Sequence, residues 1–173
     1  MRVITGEYRG RKLETPAGYD IRPTSDKVKE SIFNLLMGCI DDSVFCDLFA
    51  GTGSLGIEAL SRGAERCYFC DKSRESIGII KRNVQHCHAE EKSVILQGDF
   101  TKGLNRINEK VDVFFIDPPY GDSLYEKCLE MIENLDLLAV NGIIIAEHDS
   151  RDQISEKVGG FVRVRRRRYG KTT

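Results

Sequence analysis

The stretch VFCDLFAGTGSLG, residues 44–56, decides the fold. Its first half is an apolar run typical of a buried strand, and its second half is a G-x-G-x-x-G loop formed by Gly51, Gly53 and Gly56. Glycines at this position let the backbone turn tightly and approach a ligand closely. A strand, a glycine loop and a helix in this order predict the beginning of a nucleotide-binding α/β domain.

Apolar runs and helical patterns alternate along the chain around this loop. The runs cover 44–50, 65–71, 93–97, 111–117 and 142–147, and the helical patterns cover 55–62, 74–87, 101–108 and 123–135. This alternation is typical of a parallel sheet with helices on both faces. We therefore predict a doubly wound α/β fold with a mostly parallel Rossmann-like sheet and an antiparallel C-terminal edge. In such folds ligands bind beyond the carboxyl ends of the strands.

Residues 1–40 lack this alternation and are predicted to form a small N-terminal extension of the main domain at 41–173. Gly6 and Gly10 mark turns between short extended pieces, which predicts a hairpin. A helix is expected next, from capping residues at 24–26 to about residue 38. We expect the charged residues of this helix to face outward: Lys27, Lys29 and Glu30.

Length and composition limit the class of protein. The chain has 173 residues, 40% of them hydrophobic and 31% charged, which fits one globular domain and leaves no room for a second. The N-terminus lacks the apolar core of a signal peptide, and no apolar run approaches the roughly 20 residues of a membrane helix, so we expect a cytoplasmic protein. The six cysteines are accordingly expected to be reduced.

Charge is distributed unevenly along the chain, although the net charge is only −1. Residues 1–29 contain seven basic and four acidic side chains, and residues 151–173 contain eight basic and two acidic ones. The middle of the chain is therefore acidic and both ends are basic. Such asymmetry can mark a nucleic-acid-binding face.

Two groups of residues follow the predicted strands at the same edge of the sheet. Asp71 stands twenty residues after Gly51 and suits a pair of ribose hydroxyls, which both a dinucleotide and S-adenosylmethionine would present there. Asp117-Pro118-Pro119-Tyr120 follows the fourth run. Its prolines stiffen the backbone, so the carboxylate and a neighbouring carbonyl can accept from an amino group while the tyrosine ring stacks on a flat base.

These motifs together resemble a known family. VFCDLFAGTGSLG followed by DPPY is similar to S-adenosylmethionine-dependent amino-methyltransferases. The segments 2–16, 21–36 and 167–172 resemble the small bacterial 16S ribosomal RNA guanine-N2 methyltransferases. The resemblance implies a methyltransferase sheet, S-adenosylmethionine as cofactor, and ribosomal RNA or the small ribosomal subunit as partner. From the sequence we also expect no metal, no membrane segment and no obligate protein partner.

The resemblance also assigns roles by position. The catalytic residues would be Asp117, Pro118, Pro119 and Tyr120. The cofactor-binding residues would be Thr24, Ser25, Asp47, Phe49, Gly51, Gly53, Gly56, Asp71, Lys72, Gly98, Asp99 and Phe100. The RNA-contacting residues are expected in the two basic segments, where phosphates would bind. They are Arg9, Arg11, Lys12, Arg22, Arg163, Arg165, Arg166, Arg167 and Arg168.

Other acceptors and another class of function stay open at this point. An amino-methyltransferase could act on adenine in DNA or on a protein glutamine amide, and a non-catalytic RNA-binding assembly factor could keep the fold.

Further polar residues are expected to be structural. Cys67 and Cys70 should point to opposite faces of a strand, the run 86–88 makes a poor chelate, and His148 is expected to be a satisfied polar residue.

Overall fold

The computed structural model describes residues 1–16, 26–119, 124–152 and 154–173. Its centre is a parallel sheet of five strands in the order β3-β2-β1-β4-β5. The strands are β1 (Val44–Asp47), β2 (Arg66–Asp71), β3 (Ser93–Gln97), β4 (Val111–Ile116) and β5 (Leu138–Ala146). The chain adds β2 and β3 on one side of β1, and β4 and β5 on the other. This confirms the predicted doubly wound sheet, and the order reverses between β1 and β4, where such sheets bind ligands.

Helices cover both faces of the sheet. They are α1 (Asp26–Leu35), α2 (Ser54–Ser61), α3 (Arg74–Cys87), α4 (Phe100–Leu104) and α5 (Leu124–Asn134). Phe45, Phe69 and Phe115 belong to the core cluster beneath α1, α2 and α3. Their neighbours Cys46 and Phe114 belong to the opposite cluster beneath α4 and α5. Helices bury both faces of the sheet, and successive strand residues point to opposite faces, so the residues on either side of a central strand are mostly apolar and the runs are continuous.

The two element boundaries that differ most from the sequence prediction are the start of β5 and the end of α4. β5 begins at Leu138, four residues before the predicted start, because the register with β4 shifts between Val111 and Val113. The shift lets the strand include Asn141, which has a positive φ of 64°, so the strand contains residues that resemble a turn. α4 ends at Leu104 rather than near residue 108.

The N-terminal extension forms the predicted hairpin and lies on α2. Val3 N donates to the Arg11 carbonyl at 3.0 Å, and Leu13 N donates to the Met1 carbonyl at 3.0 Å. Val3, Tyr8 and Leu13 are buried in the same cluster as the residues beneath α1, α2 and α3. The extension therefore shares the core of the main domain.

Lys29 is an exception to the predicted outward face of α1, whereas Lys27 and Glu30 are exposed as expected. Its side chain is 0% exposed, and Nζ donates to the Arg2 carbonyl at 2.7 Å and lies 3.3 Å from Glu58 Oε2. The prediction was wrong because the hairpin folds over this side of the helix and buries it. A buried ammonium requires such partners.

The C-terminal region contributes the antiparallel part of the fold. β6 (Lys157–Val158) and β7 (Phe161–Val162) pair as a separate two-stranded sheet. Gly160 N donates to Glu133 Oε1 at 2.8 Å, which attaches this hairpin to α5. The last residues pair with the segment after β5. His148 N donates to the Thr173 carbonyl at 2.9 Å, and Thr173 N donates to the His148 carbonyl at 2.8 Å.

The remaining sequence expectations concern cysteines and membranes. All six cysteines are free thiols. Cys67 and Cys70 lie in opposite core clusters, as predicted from their spacing. Within the described ranges, no helix is both long and apolar enough to cross a bilayer.

Candidate active site

The glycine loop is held between the two strands that flank β1. After β1 ends, Leu48 N donates to the Phe115 carbonyl at 3.0 Å and Ala50 N donates to the Cys70 carbonyl at 2.9 Å. Gly51 and Gly53 then adopt positive φ values of 55° and 76°, which L-residues with side chains rarely adopt. A Cβ at Gly51 would meet no atom within 4 Å, so the space beside this residue is open.

Asp71 connects the loop to the end of β2. Its Oδ2 accepts from Gly51 N at 2.8 Å, and its Oδ1 accepts from Ser73 N at 2.8 Å. Each carboxylate oxygen keeps a further lone pair for a ligand hydroxyl. Asp71 therefore orients the loop and can also accept from a ribose, while the adjacent Lys72 is exposed.

Asp47 lies beneath the loop and is 2% exposed. Burial raises its pKa to about 7, although the hydrogen bond from Gly56 N to Oδ2, at 3.3 Å, acts in the opposite direction. A Cβ at Gly56 would lie 2.3 Å from Cε1 of Phe69. The third glycine therefore allows α2 to approach β2 closely, and its N–H holds Asp47.

The segment after β3 lies beside Asp71, because Gly98 N donates to the Asp71 carbonyl at 3.0 Å. Asp99 caps α4, since Oδ1 accepts from Lys102 N at 3.0 Å and from Thr101 Oγ1 at 2.5 Å. These bonds lower the pKa of Asp99, and Oδ2 takes part in neither of them. Phe100 faces Phe49 with ring centroids 6.1 Å apart, which forms an apolar wall between the ends of β1 and β3.

Asp117 follows β4 and is half-buried, while Pro118 is buried and Pro119 is exposed. Burial raises the pKa of Asp117 to about 6. Among the residues that the structure describes, none donates a hydrogen bond to its carboxylate. Tyr120, Thr24, Ser25 and Arg22 lie outside the described residues.

The strand register places the carboxylates of Asp71 and Asp117 on either side of the glycine loop. Asp47 in β1 pairs with Phe69 of β2 and with Phe115 of β4. Asp71 and Asp117 each stand two residues beyond those partners, so they flank the segment that follows Asp47. The negative charges of Asp117 and Asp71 both raise the pKa of Asp47, although burial has the larger effect. The structure thus brings together Asp47, Asp71, Asp117 and the loop.

His148 is a satisfied polar residue, as predicted. It is 7% exposed, and its Nδ1 lies 2.8 Å from the Asp149 carbonyl. Its ring contacts Tyr125 edge to face with centroids 6.1 Å apart. The run His86-Cys87-His88 at the end of α3 has exposed histidines and a buried cysteine, so its three side chains do not converge.

The basic segments divide into anchored and free side chains. Arg11 Nη1 donates to the His86 carbonyl at 2.7 Å, Arg163 pairs with Glu156 at 2.6 Å, and Arg168 Nε donates to the Gly170 carbonyl at 3.0 Å. Among the predicted RNA-contacting residues, five are exposed and have no side-chain partner in the described part of the chain: Arg9, Lys12, Arg165, Arg166 and Arg167.

Asn83 on α3 and Glu58 on α2 were missed in the sequence analysis. Asn83 is 2% exposed and donates to the carbonyl of Thr52 in the glycine loop, and Glu58 is 0% exposed and accepts from the backbone of the extension. A signal for Asn83 was present, because its position falls on the apolar stripe of α3, three or four residues from Ile79, Ile80 and Cys87.

Comparison with known proteins decides the family. The model of the family described as "Conserved hypothetical protein 95" matches residues 1–173. The chain belongs to this family. A relative from Bacillus subtilis, named "Putative rRNA methyltransferase YlbH", is 40% identical over 175 residues, which cover 99% of this chain and 95% of the relative. The Haemophilus influenzae "Ribosomal RNA small subunit methyltransferase D" is 39% identical over 151 residues, which cover 85% of this chain and 78% of the relative.

Solved structures support the same family. The structure named "Putative methyltransferase yhhF from Escherichia coli" matches with a TM-score of 0.88 and 30% identity, covering 99% of this chain and 93% of that chain. The family membership confirms the resemblance seen in the sequence. The match also identifies the chain as a methyltransferase with a Rossmann-like fold.

Proposed function

We propose that this chain transfers a methyl group from S-adenosylmethionine to the exocyclic 2-amino group of a guanine in small-subunit ribosomal RNA. One observation carries the proposal: the Asp117 carboxylate, half-buried and without a donor among the described residues, stands beside the glycine loop. Relatives named ribosomal RNA small subunit methyltransferase D support the substrate class.

The residues around the loop fit S-adenosylmethionine. The open side of Gly51 admits the cofactor backbone, and Asp71 accepts from the ribose hydroxyls. We assign the methionine end to Asp47, Phe49, Thr24 and Ser25, and the adenine to Gly98, Asp99 and Phe100, with Lys72 beside the ribose. When bound, the cofactor supplies a methyl group on a sulfonium, which is a good leaving group.

Asp117 positions the acceptor amine. An aryl amine is a poor nucleophile because its lone pair is delocalised, and hydrogen bonds from its N–H groups to Asp117 and the Pro118 carbonyl favour the pyramidal form. With a pKa near 6, Asp117 is largely ionised at pH 7 and can accept these bonds. The base must leave its stack to reach this edge, and Tyr120 would replace the lost stacking.

The basic residues would hold the RNA backbone. Arg9, Lys12, Arg165, Arg166 and Arg167 have exposed side chains that can contact phosphates directly. Arg11, Arg163 and Arg168 are anchored to the protein, which limits their reach but still places positive charge at the surface. We assign Arg22 to the same phosphate-contacting group.

The experiment is methyl transfer from labelled S-adenosylmethionine to small ribosomal subunits and to their protein-free RNA, both from cells lacking this protein. Mass analysis of the nucleosides should show guanine labelled on its 2-amino group. Asp117→Ala should lower turnover at least about 100-fold while binding of S-adenosylhomocysteine is retained.

Asp136→Asn is the matched control, because this exposed carboxylate pairs with Lys110, away from the proposed site, and should leave turnover unchanged. Full turnover by Asp117→Ala would contradict the role of Asp117. Label found on adenine or on a protein amide would show that the acceptor is that group and not the guanine 2-amino group. Loss of the methyl mark in cells expressing only Asp117→Ala would exclude a non-catalytic assembly role as the sole function.

A further inference from the structure

Asn83 joins two parts of the molecule that are distant in the sequence. Its Nδ2 donates to the Thr52 carbonyl at 2.9 Å and to the Glu14 carbonyl at 3.1 Å. Its Oδ1 accepts from Glu14 N at 2.7 Å. A primary amide offers two donors and two acceptor lone pairs, so three of its four bonding positions are used. One buried side chain thus holds the glycine loop and the extension together.

The bond to Thr52 fixes a peptide plane inside the loop. The carbonyl of the Thr52–Gly53 peptide accepts from Asn83, and its N–H donates to the Ala50 carbonyl at 2.7 Å. Both polar groups of this peptide are therefore held within the protein. Earlier in the loop, Gly51 N–H is held by Asp71 at 2.8 Å. Loss of Asn83 would leave the Thr52 carbonyl buried without a donor.

The extension touches the loop at a second point. Thr52 Oγ1 lies 3.6 Å from Met1 Sδ, which belongs to the extension. The Thr52 carbonyl is bonded to Asn83, which is itself bonded to the extension at Glu14. The segment at Glu14 comes shortly before Thr24 and Ser25. The glycine loop is consequently supported from outside the sheet as well as from within it.

We propose that Asn83 is a positioning residue for the cofactor, acting through the glycine loop, and that cofactor binding and the position of the extension at Glu14 are coupled through it. The inference rests on the proposed assignment of this loop to S-adenosylmethionine. Coupling of this kind is reciprocal, so the extension supports cofactor binding and the bound cofactor tightens the extension.

The first test measures binding of S-adenosylhomocysteine by calorimetry without RNA. Asn83→Asp keeps the size of the side chain and its acceptor for Glu14 N, and once the carboxyl is ionised, at high pH, it has no donor for either carbonyl. We expect its Kd to rise about tenfold, because the Thr52 carbonyl loses its donor and the glycine loop is no longer held in the conformation that receives the cofactor. In the methyl-transfer assay, KM for S-adenosylmethionine should rise by a similar factor with kcat little changed.

Arg82→Gln is the matched control on the neighbouring residue. Arg82 and Glu14 form an exposed ion pair at 2.7 Å, and its loss leaves the backbone bonds to Asn83 in place. Its Kd should stay within about twofold of the wild type. A purely structural role for Asn83 predicts a lower melting temperature without a change in Kd, so both quantities are measured for each variant.

The second test needs no variant and covers the case in which Asn83→Asp does not fold. Amide hydrogen exchange of the wild type, with and without S-adenosylhomocysteine, should show slower exchange at Glu14 together with the glycine loop. Slower exchange in the loop alone, or an unchanged Kd for folded Asn83→Asp, would overturn the inference. Failure of the wild type to bind at all would overturn the cofactor assignment itself, which is a different result.

Discussion

Lys29 in α1 and Glu58 in α2 form an ion pair with Nζ 3.3 Å from Oε2, and both side chains are 0% exposed. Burial lowers the pKa of Lys29, and the charge of Glu58 opposes that change. Glu58 also accepts from Ile4 N at 2.8 Å and from Thr5 N at 3.0 Å, and it pairs with Arg62 at 2.8 Å. The pair therefore joins α1, the N-terminal hairpin and α2, the helix that begins at the glycine loop.

Breaking this pair should be costly and asymmetric. Glu58→Gln leaves Lys29 buried without its anion and should lower the free energy of unfolding by about 3–5 kcal/mol in urea titrations. Lys29→Met should cost less, because Glu58 keeps Arg62 and the two backbone donors. Equal losses for the two variants would contradict this account. Glu14→Gln, which removes an exposed ion pair, is the control and should change stability little.

Activity should fall steeply as the pH falls from about 7 to about 5. The pKa of Asp117 lies near 6 and that of Asp47 near 7, and protonation removes their capacity as anionic acceptors. The value of kcat/KM reports such groups in the free enzyme. Titration of the labelled carboxyl carbons by NMR assigns each midpoint to its residue. A midpoint near 4 for Asp117 would contradict the effect of burial.

Asp47→Asn should stabilise the protein at high pH while weakening cofactor binding. The folded-state pKa of Asp47 is raised from 3.8 to about 7, so the folded protein holds this proton more tightly than the unfolded chain. Ionisation therefore removes stability as the pH rises from about 4 to about 7. Asparagine cannot ionise.

Urea titrations at pH 4 and pH 8 test this effect. The free energy of unfolding of Asp47→Asn, relative to that of the wild type, should be larger at pH 8 than at pH 4 by on the order of 3 kcal/mol. Its Kd for S-adenosylhomocysteine should rise. Asp136→Asn removes an exposed carboxylate and should show no such pH-dependent gain. An equal stability difference at both pH values would show that Asp47 is not the source.

RNA affinity should depend on salt through the C-terminal arginines. Replacing Arg165, Arg166 and Arg167 together by Gln should reduce the slope of log affinity against log salt by about 2 to 3, since each phosphate contact contributes about 0.7 to 0.9. Filter binding or anisotropy at several salt concentrations measures the slope. Arg66→Gln is the control, because Arg66 pairs with Glu109 at the start of β2, away from the catalytic edge. A slope unchanged by the triple substitution would remove these residues from the RNA-binding surface.

Local sequence signals were sufficient to place some elements to the residue. The bounds of β3 and α3 agree with the prediction, and α3 carries its own caps, with Ser73 Oγ accepting from Ser76 N and His88 in a left-handed conformation. β5 was placed too late because a shift in its register with β4 accommodates Asn141 within the strand. That shift depends on the neighbouring strand and leaves no pattern in the sequence of β5.

The sequence by itself determined the α/β class, the position of the glycine loop, and the positions of Asp71 and Asp117 at the ends of β2 and β4, because strand period, turn chemistry and the residues at the end of each strand are local properties. Only the tertiary structure decided that Lys29 is buried against Glu58 and that Asn83 holds Thr52 and Glu14. These contacts join residues 29 to 69 positions apart, and a charged or amide side chain has the same local pattern whether it faces water or a partner. The difference lies in the desolvation that folding imposes and in the partners that it brings near.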